Sequence, residues 1–296
     1  MKLTNKFGLP TTFVNAIKRP QYSKGDSHIS ATEILSSPRI VQLRSMHWEE
    51  TESDVSEMVW SLFGTAVHNI LEHGKDDHHI VEERLHADIG GWSISGAIDL
   101  QEVFEDGIVV SDYKVTGAWT VMQEKKDWEN QLNIYGFLVE FVKKIPVKKI
   151  QIVAIIRDWS AREAKTREGY PQAPIVIMEM NLWPMEKRTQ YVEDRIALHN
   201  EAYFAAKTGS ELAYCTPEEC WEKPTYYAVK KIGGVKAKKV FTIRSESESL
   251  IAELGEKYEL EVREGERTRC KSYCSVSKFC NQYDQYLNMY PTTEEA

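Results

Sequence analysis

Apolar residues recur at helical spacing between about Ser56 and His73. Val59, Leu62, Phe63, Ala66, Val67, Ile70 and Leu71 fall on one stripe, and Gly74 supplies a stop. Upstream, residues 30–48 also read as helix, with Ser30 as N-cap and Glu33 completing a capping box. Beyond Gly74 the period changes from 3.6 to 2. Ile80–Ala87 is a strand, Gly90-Gly91 a turn, and Trp92–Leu100 a second strand that sets Trp92, Ile94, Gly96 and Ile98 against Ser93, Ser95, Ala97 and Asp99. Asp106-Gly107 signals a hairpin into a third strand, Ile108–Val115. A helix over Gln123–Lys143, closed by Pro146, and a strand over Lys149–Arg157 follow, so the order is α-β-β-β-α-β. A strand at Ile175–Leu182 and a long helix at Met185–Ala206 complete this part.

After Thr208 the character changes. Thr225–Arg244 contains Lys230, Lys231, Lys236, Lys238, Lys239 and Arg244 and no acid, with Gly233-Gly234 marking a hairpin tip. A short helix (Glu246–Lys257), a strand (Glu259–Arg263) and three closely spaced cysteines end the fold. Residues 1–30 show no clear period. The expected organisation is an N-terminal arm (1–30), an α/β (α+β) core (31–208), a basic hairpin subdomain with a cysteine cluster (209–290) and a frayed tail (291–296).

Composition supports a packed globule, with 42% hydrophobic and 28% charged residues. The net charge of −8 sharpens the contrast with the basic tract: the tract carries +6 and the rest of the chain −14. An acidic protein is repelled by phosphate overall, so contact with nucleic acid has to come from such a local surface. No apolar run reaches the roughly 18 residues needed to span a bilayer, and Met1–Pro20 lacks a signal peptide's apolar stretch, so the expectation is a cytoplasmic protein with no membrane partner. Five cysteines in a reducing compartment, an odd count, do not suit a disulfide framework, so their clustering needs another explanation.

The residues with chemistry lie in the second and third strands and the helices beside them. Asp112 and Lys114 are two apart on a strand and share a face. Asp99, near the end of the neighbouring strand, can stand beside Asp112 across the hairpin. Two carboxylates at that spacing make a hard-oxygen site for Mg²⁺ or Mn²⁺, and a lysine next to it can polarise a water and offset phosphate charge. Gln131 and Tyr135 are i and i+4 on the following helix, and His68 comes one turn after Gly64 on the preceding one.

In order, Gly-Thr-Ala-Val-His68, Ser-Gly-Ala-Ile-Asp99-Leu, Asp112-Tyr113-Lys114 and Gln131-x-x-x-Tyr135 resemble the motifs of the PD-(D/E)XK nuclease superfamily, and within it the RecB-like branch of phage exonucleases. The resemblance runs from about Ile29 to Arg157. It implies a restriction-endonuclease-like core, Asp99 and Asp112 as metal ligands with the Tyr113 carbonyl and His68 beside them, Lys114 as the catalytic lysine, and Gln131 and Tyr135 positioning DNA. Glu83 is a further candidate for that site. The cysteines at 270, 274 and 280 resemble the iron–sulfur staple of the same branch, a 4Fe–4S cluster completed by one distant cysteine, with Cys215 preferred and Cys220 the alternative; a zinc site is the rival. The implied activity is a DNA exonuclease of phage type, cytoplasmic in the host if viral. The alternative is a non-catalytic DNA-binding or partner-binding module on the same fold. No Gly-x-x-x-x-Gly-Lys-[Ser/Thr] loop is present, so a helicase, a single-strand annealing protein or another replication or recombination partner would act in trans. Lys230, Lys231, Lys236, Lys238, Lys239 and Arg244, interleaved with Tyr226, Tyr227 and Phe241, are the expected DNA contacts.

Overall fold

The chain is a mixed α+β protein, described by a computed structural model over residues 1–18 and 24–289. The tail expected at 291–296 lies outside the described residues. Two compact units divide the chain: Met1–Val41 with Glu49–Glu211, and Gln42–Trp48 with the residues from Leu212 onward.

The first part of the chain forms β1 (Lys2–Thr4), α1 (Thr11–Lys18), β2 (Ile29–Ser30), α2 (Ala31–Leu35), α3 (Pro38–Met46), β3 (Glu52–Asp54), α4 (Val59–Glu72), β4 (His79–Ile89), β5 (Trp92–Phe104), β6 (Gly107–Thr116), α5 (Ala118–Val121), α6 (Lys126–Lys143), β7 (Val147–Ile156), α7 (Ala161–Thr166), β8 (Ile175–Met180) and α8 (Met185–Thr208). Where one helix is expected over 30–48, the chain makes two. Ser30 and Glu33 do form the capping box of α2, but the backbone turns extended at Ser36 (ψ 154°) and restarts at Pro38. Proline has no N–H to continue a helical ladder and disfavours helical backbone before it. The lead-in, without sequence period, also contains regular structure: β1 pairs in parallel with β3, and the Asp54 carboxylate fastens it by accepting from Thr4 Oγ1 and Lys6 N, both at 2.8 Å.

The main sheet runs β2-β5-β6-β7-β8, with β4 also on β5. Strands β5 and β6 are antiparallel, β6 and β7 parallel across the α6 crossover, and β7 and β8 antiparallel. Because β4 follows β5 along nearly its whole length, β2 (at Ile94 and Ser95) and β6 (from Leu100 onward) share its other edge. Between them, residues 96–99 of β5 have no ladder partner on that side among the described residues. Helix α6 packs over this stretch. Its Leu132, Ile134, Phe137 and Leu138 are fully buried with Ile98, Ile108, Ile150 and Ile152 of the sheet, and α8 adds Val192 and Ile196. Gly96 sets the closeness of the approach: a Cβ there would lie 2.7 Å from Leu138 Cδ1 and 3.1 Å from the Tyr135 ring.

The second unit contains β9 (Glu222–Lys223), β10 (Tyr226–Lys231), β11 (Ala237–Phe241), α9 (Arg244–Leu254), β12 (Tyr258–Arg263), β13 (Glu266–Arg267), α10 (Thr268–Ser272) and α11 (Asn281–Met289). The expected hairpin is present as β10 and β11, with Gly233 at φ 71° in its tip, and β12 completes an antiparallel sheet in the order β11-β10-β12. Among the described residues, no helix is long and apolar enough to cross a membrane.

Candidate active site

The β5–β6 ladder ends at Leu100 opposite Ser111, one pair short of bringing Asp99 face to face with Asp112. Like charges directly opposite on paired strands repel. Here the β5–β6 ladder has ended, and the Tyr113 N–H donates to Asp99 Oδ2 at 2.7 Å. Beside the ladder's end is a cavity of about 620 Å³, lined by Asp99, Asp112, Lys114, His68, Gln131 and Tyr135, with Lys24 and Arg84 also on its wall.

Within it, Asp112 is 2% exposed. Its Oδ2 lies 2.7 Å from Lys114 Nζ, and its Oδ1 accepts from Gln131 Nε2 at 3.2 Å. Gln131 Nε2 also reaches the Tyr135 hydroxyl at 2.9 Å, so the i and i+4 pair acts as one strut from α6. Burial, and after it the Asp112 charge, push the Asp99 carboxyl up to about 7. His68 comes down from α4. Its Nε2 is 3.2 Å from the Tyr113 carbonyl oxygen, and its Nδ1 is 3.3 Å from Glu82 Oε1 and 3.6 Å from Asp99 Oδ1. The Glu82 carboxylate raises the His68 pKa above its ordinary value, and the Asp99 charge adds to this against the opposing effect of burial.

Glu82 was not among the residues that the sequence pointed to. It has φ 50°, rare for a non-glycine residue and rarer inside a strand. Its neighbour Glu83, named from the sequence, points elsewhere: it pairs with Lys143 and accepts from Gln101 Nε2 at 2.7 Å. A signal for Glu82 was available. The two-residue turn at Gly90-Gly91 pairs Ile89 with Trp92, and counting outward from that pair sets residue 82 opposite residue 99. Lys24 and Arg84 were also missed. Lys24 Nζ donates to the His28 carbonyl at 2.9 Å and pairs with Glu33 at 3.4 Å, while Arg84 Nη1 donates to Ser95 Oγ at 3.2 Å.

Ligand-capable atoms of His68, Glu82 and Asp99 all lie within 4.8 Å of one another. His68 Nδ1 is buried and makes no hydrogen bond of good geometry. A donor set of one imidazole and two carboxylates, with a buried ring nitrogen among them, could hold a divalent cation.

In the second unit the five cysteines lie near enough to influence one another, but among the described residues no three of them form a ready metal-ligand group. Cys220, 1% exposed, contacts both Cys215 and Cys270, while Cys274, Cys215 and Cys280 all bear electrostatically on Cys270. Contact with Cys220 holds the Cys270 thiol below its ordinary value. The contact with Cys215 favours the Cys220 thiolate, but contact with Cys270 and burial outweigh it and push the thiol up to about 11. Gln282, also missed from the sequence, grips Cys215 by both backbone groups: its Oε1 accepts from Cys215 N at 2.8 Å and its Nε2 donates to Cys215 O at 2.9 Å. The Cys220 carbonyl accepts from Arg269 N at 3.1 Å. Cys215 and Cys220 are therefore both beside the C-terminal trio.

The six basic residues of the hairpin region are not equivalent. Lys230 is held by Glu261 at 2.6 Å and Glu259 at 3.6 Å, both from β12, and Arg244 by Glu248 at 2.8 Å one helical turn on. Lys231, Lys236, Lys238 and Lys239 form no such ion pair among the described residues; Lys238 lies over the Tyr258 ring at 5.3 Å and Lys239 over Phe241 at 4.8 Å.

No protein-family model and no curated protein matches the chain. Among solved structures, the chain is similar to the protein SSO0001, at 18% identity and a TM-score of 0.45, over 64% of this chain and 87% of that one. It is also similar to a candidate exonuclease from Eubacterium rectale, at 13% identity and a TM-score of 0.31, over 51% and 56% of the two chains.

Proposed function

We propose that the chain is a divalent-cation-dependent DNA nuclease of the PD-(D/E)XK type, RecB-like branch, hydrolysing phosphodiester bonds in DNA. The observation that carries this reading is the meeting of His68, Glu82 and Asp99 within 4.8 Å, in one cavity with the Asp112–Lys114 pair. The element order of α4-β4-β5-β6-α6-β7 and the four motifs of the resemblance support it.

Asp99, Glu82, His68, the Tyr113 carbonyl and Asp112 would hold Mg²⁺ or Mn²⁺. When bound, that cation supplies a lowered pKa for a ligand water and positive charge at the scissile phosphate. Lys114, anchored on Asp112, keeps an ammonium group where a water can be oriented and where charge on phosphate oxygens can be offset. Gln131 and Tyr135 fix the orientation of the Asp112 carboxylate, while Arg84 offers a place for a second phosphate along the strand. The unpaired lysines of the hairpin, Lys231, Lys236, Lys238 and Lys239, are proposed to bind the DNA backbone. The cysteines are proposed to bind a 4Fe–4S cluster that staples the second unit, with zinc as the alternative occupant.

The test is anaerobic purification followed by digestion of end-labelled linear and circular DNA with and without Mn²⁺. Visible absorbance that disappears in Cys270→Ser is expected from an iron–sulfur cluster; a colourless protein with stoichiometric zinc would replace that assignment. Asp112→Asn and Lys114→Ala should each reduce cation-dependent cleavage by at least about 100-fold, the size of effect seen on removing one transition-state-stabilising group, with an unchanged melting profile. A wild-type protein that binds DNA without cutting it in any divalent cation would favour the non-catalytic module instead.

A further inference from the structure

Two tryptophans stand open to solvent where the strand carrying Asp112 and Lys114 comes to an end. Trp60, the second residue of α4, is 56% exposed; Trp119, in α5, lies three residues past the end of β6 and is 63% exposed. So large an apolar ring is ordinarily covered, and an open one at the edge of a site marks a contact surface. Each ring carries a cation. The Arg157 guanidinium carbon is 4.2 Å from the centroid of Trp60, and the Lys125 ammonium 5.7 Å from that of Trp119. Neither cation forms an ion pair among the described residues.

Arg157 also ties Trp60 to the strand end. Its backbone N–H donates to the Thr116 carbonyl at 2.9 Å, and Thr116 is the last residue of β6, two beyond Lys114. Phe63, one turn after Trp60 and 44% exposed, continues the apolar stripe along α4. Eight residues separate Trp60 from His68 on that helix, about 12 Å at 1.5 Å per residue. Stacked bases rise about 3.4 Å each, so this span corresponds to roughly three or four nucleotides.

A flat open ring beside an uncommitted cation is the arrangement that takes a nucleobase on the ring and its phosphate on the charge. A base inside a duplex is already stacked and paired, so only an unpaired strand can use it. We propose that Trp60 and Trp119, with Arg157 and Lys125, form a base-stacking platform for single-stranded DNA a few nucleotides from the Asp99–Asp112 site. The assignment of that strand as substrate rests on the nuclease reading above; the binding itself does not.

Binding is measured in EDTA, where no cleavage occurs, by fluorescence anisotropy of three labelled probes: a 12-nucleotide single strand, the same strand with abasic sites, and a blunt duplex. Trp60→Ala and Trp119→Ala should each weaken binding of the single strand about 5- to 150-fold, the range for loss of one stacked base. Duplex affinity should stay within twofold, the abasic strand should bind the wild type as weakly as the normal strand binds the variants, and Trp→Tyr at either position should restore most of the loss. Unchanged single-strand affinity in both alanine variants overturns the platform. So does an equal loss on duplex and abasic probes, which would mean charge or folding. A wild-type dimer in sedimentation that either variant splits also overturns it, since the rings would then belong to a second copy. Cleavage of the single strand with Mn²⁺ is read separately. Wild type that binds as expected but never cuts supports the platform and ends the nuclease reading, whereas cutting with both alanine variants at wild-type affinity ends the platform alone.

Discussion

Glu82 adopts a backbone conformation that costs a non-glycine residue about 1–3 kcal/mol, and the carboxylate it delivers ends 3.3 Å from His68 Nδ1. Strain of this kind persists where the surroundings hold the residue in place, and here it separates two adjacent glutamates into different roles. Glu82→Gln should weaken Mn²⁺ binding at least about tenfold by isothermal titration, whereas Glu83→Gln, which loses only Lys143 and Gln101 as partners, should leave it within twofold. Equal effects of the two substitutions would remove Glu82 from the site. A second residue-scale prediction concerns His199 of α8, fully buried with its Nε2 3.2 Å from the Ile34 carbonyl oxygen. Burial pushes its pKa down to about 4 from an ordinary 6.5. Below pH 6.5 the unfolded chain takes up this proton and the folded one does not, so stability present above pH 6.5 is lost as pH falls toward about 4, by at most about 1.4 kcal/mol per pH unit. Urea unfolding of the wild type and His199→Gln across this window should show the steeper acid loss in the wild type; parallel curves would refute it.

At the scale of elements, the cavity exists because β5 serves two partners on one edge and leaves a gap between them. Helix α6 closes over that gap at Gly96, and the same approach sets Gln131 and Tyr135 over Asp112. Gly96→Ala places a methyl 2.7 Å from Leu138 Cδ1 and must push helix and strand apart. Such overpacking costs about 1–3 kcal/mol. The expected outcome is a lower denaturant midpoint together with a fall in cleavage larger than any loss of Mn²⁺ affinity, because α6 carries the Gln131–Tyr135 strut and no proposed metal ligand. Wild-type cleavage in the variant would show that the strut does not matter. The elements themselves were largely legible in the sequence. Strong periods marked α4, β5, β6 and α6, and the glycine turns marked the hairpins. The break between α2 and α3 was signalled by Pro38 but hidden by the continuous apolar pattern around it. The pairing of β1 with β3 was not legible, since two three-residue strands carry too few residues to show a period and meet only through a distant part of the chain.

Taking the whole molecule, the acidic balance of the chain confines any phosphate-binding surface to places where lysines escape acidic neighbours. In the hairpin sheet, β12 supplies Glu259 and Glu261 against Lys230, and α9 supplies Glu248 against Arg244, which leaves Lys231, Lys236, Lys238 and Lys239 without an acidic partner among the described residues. Lys236, Lys238 and Lys239 replaced together by Glu should weaken DNA binding and lower the salt slope of log K by roughly 0.9 for each phosphate that is no longer neutralised. Lys230→Glu should act chiefly through stability, because it sets three acids together on one sheet face. An unaltered salt slope in the triple variant would exclude the hairpin from DNA contact. By itself the sequence determined which residue types share a strand or helix face: Asp112 with Lys114, Gln131 with Tyr135, His68 on its helix, and three cysteines within eleven residues. Alternation and helical period are local properties that any chain with this pattern must express. Tertiary structure decided what lies across from those faces: Glu82 rather than Glu83 beside His68, Gln282 gripping Cys215 while Cys220 joins the same cluster, acids neutralising Lys230, and two tryptophans brought to one strand end. Those choices depend on strand register, on where a ladder ends and on contacts between segments far apart in the chain, and no local period encodes them.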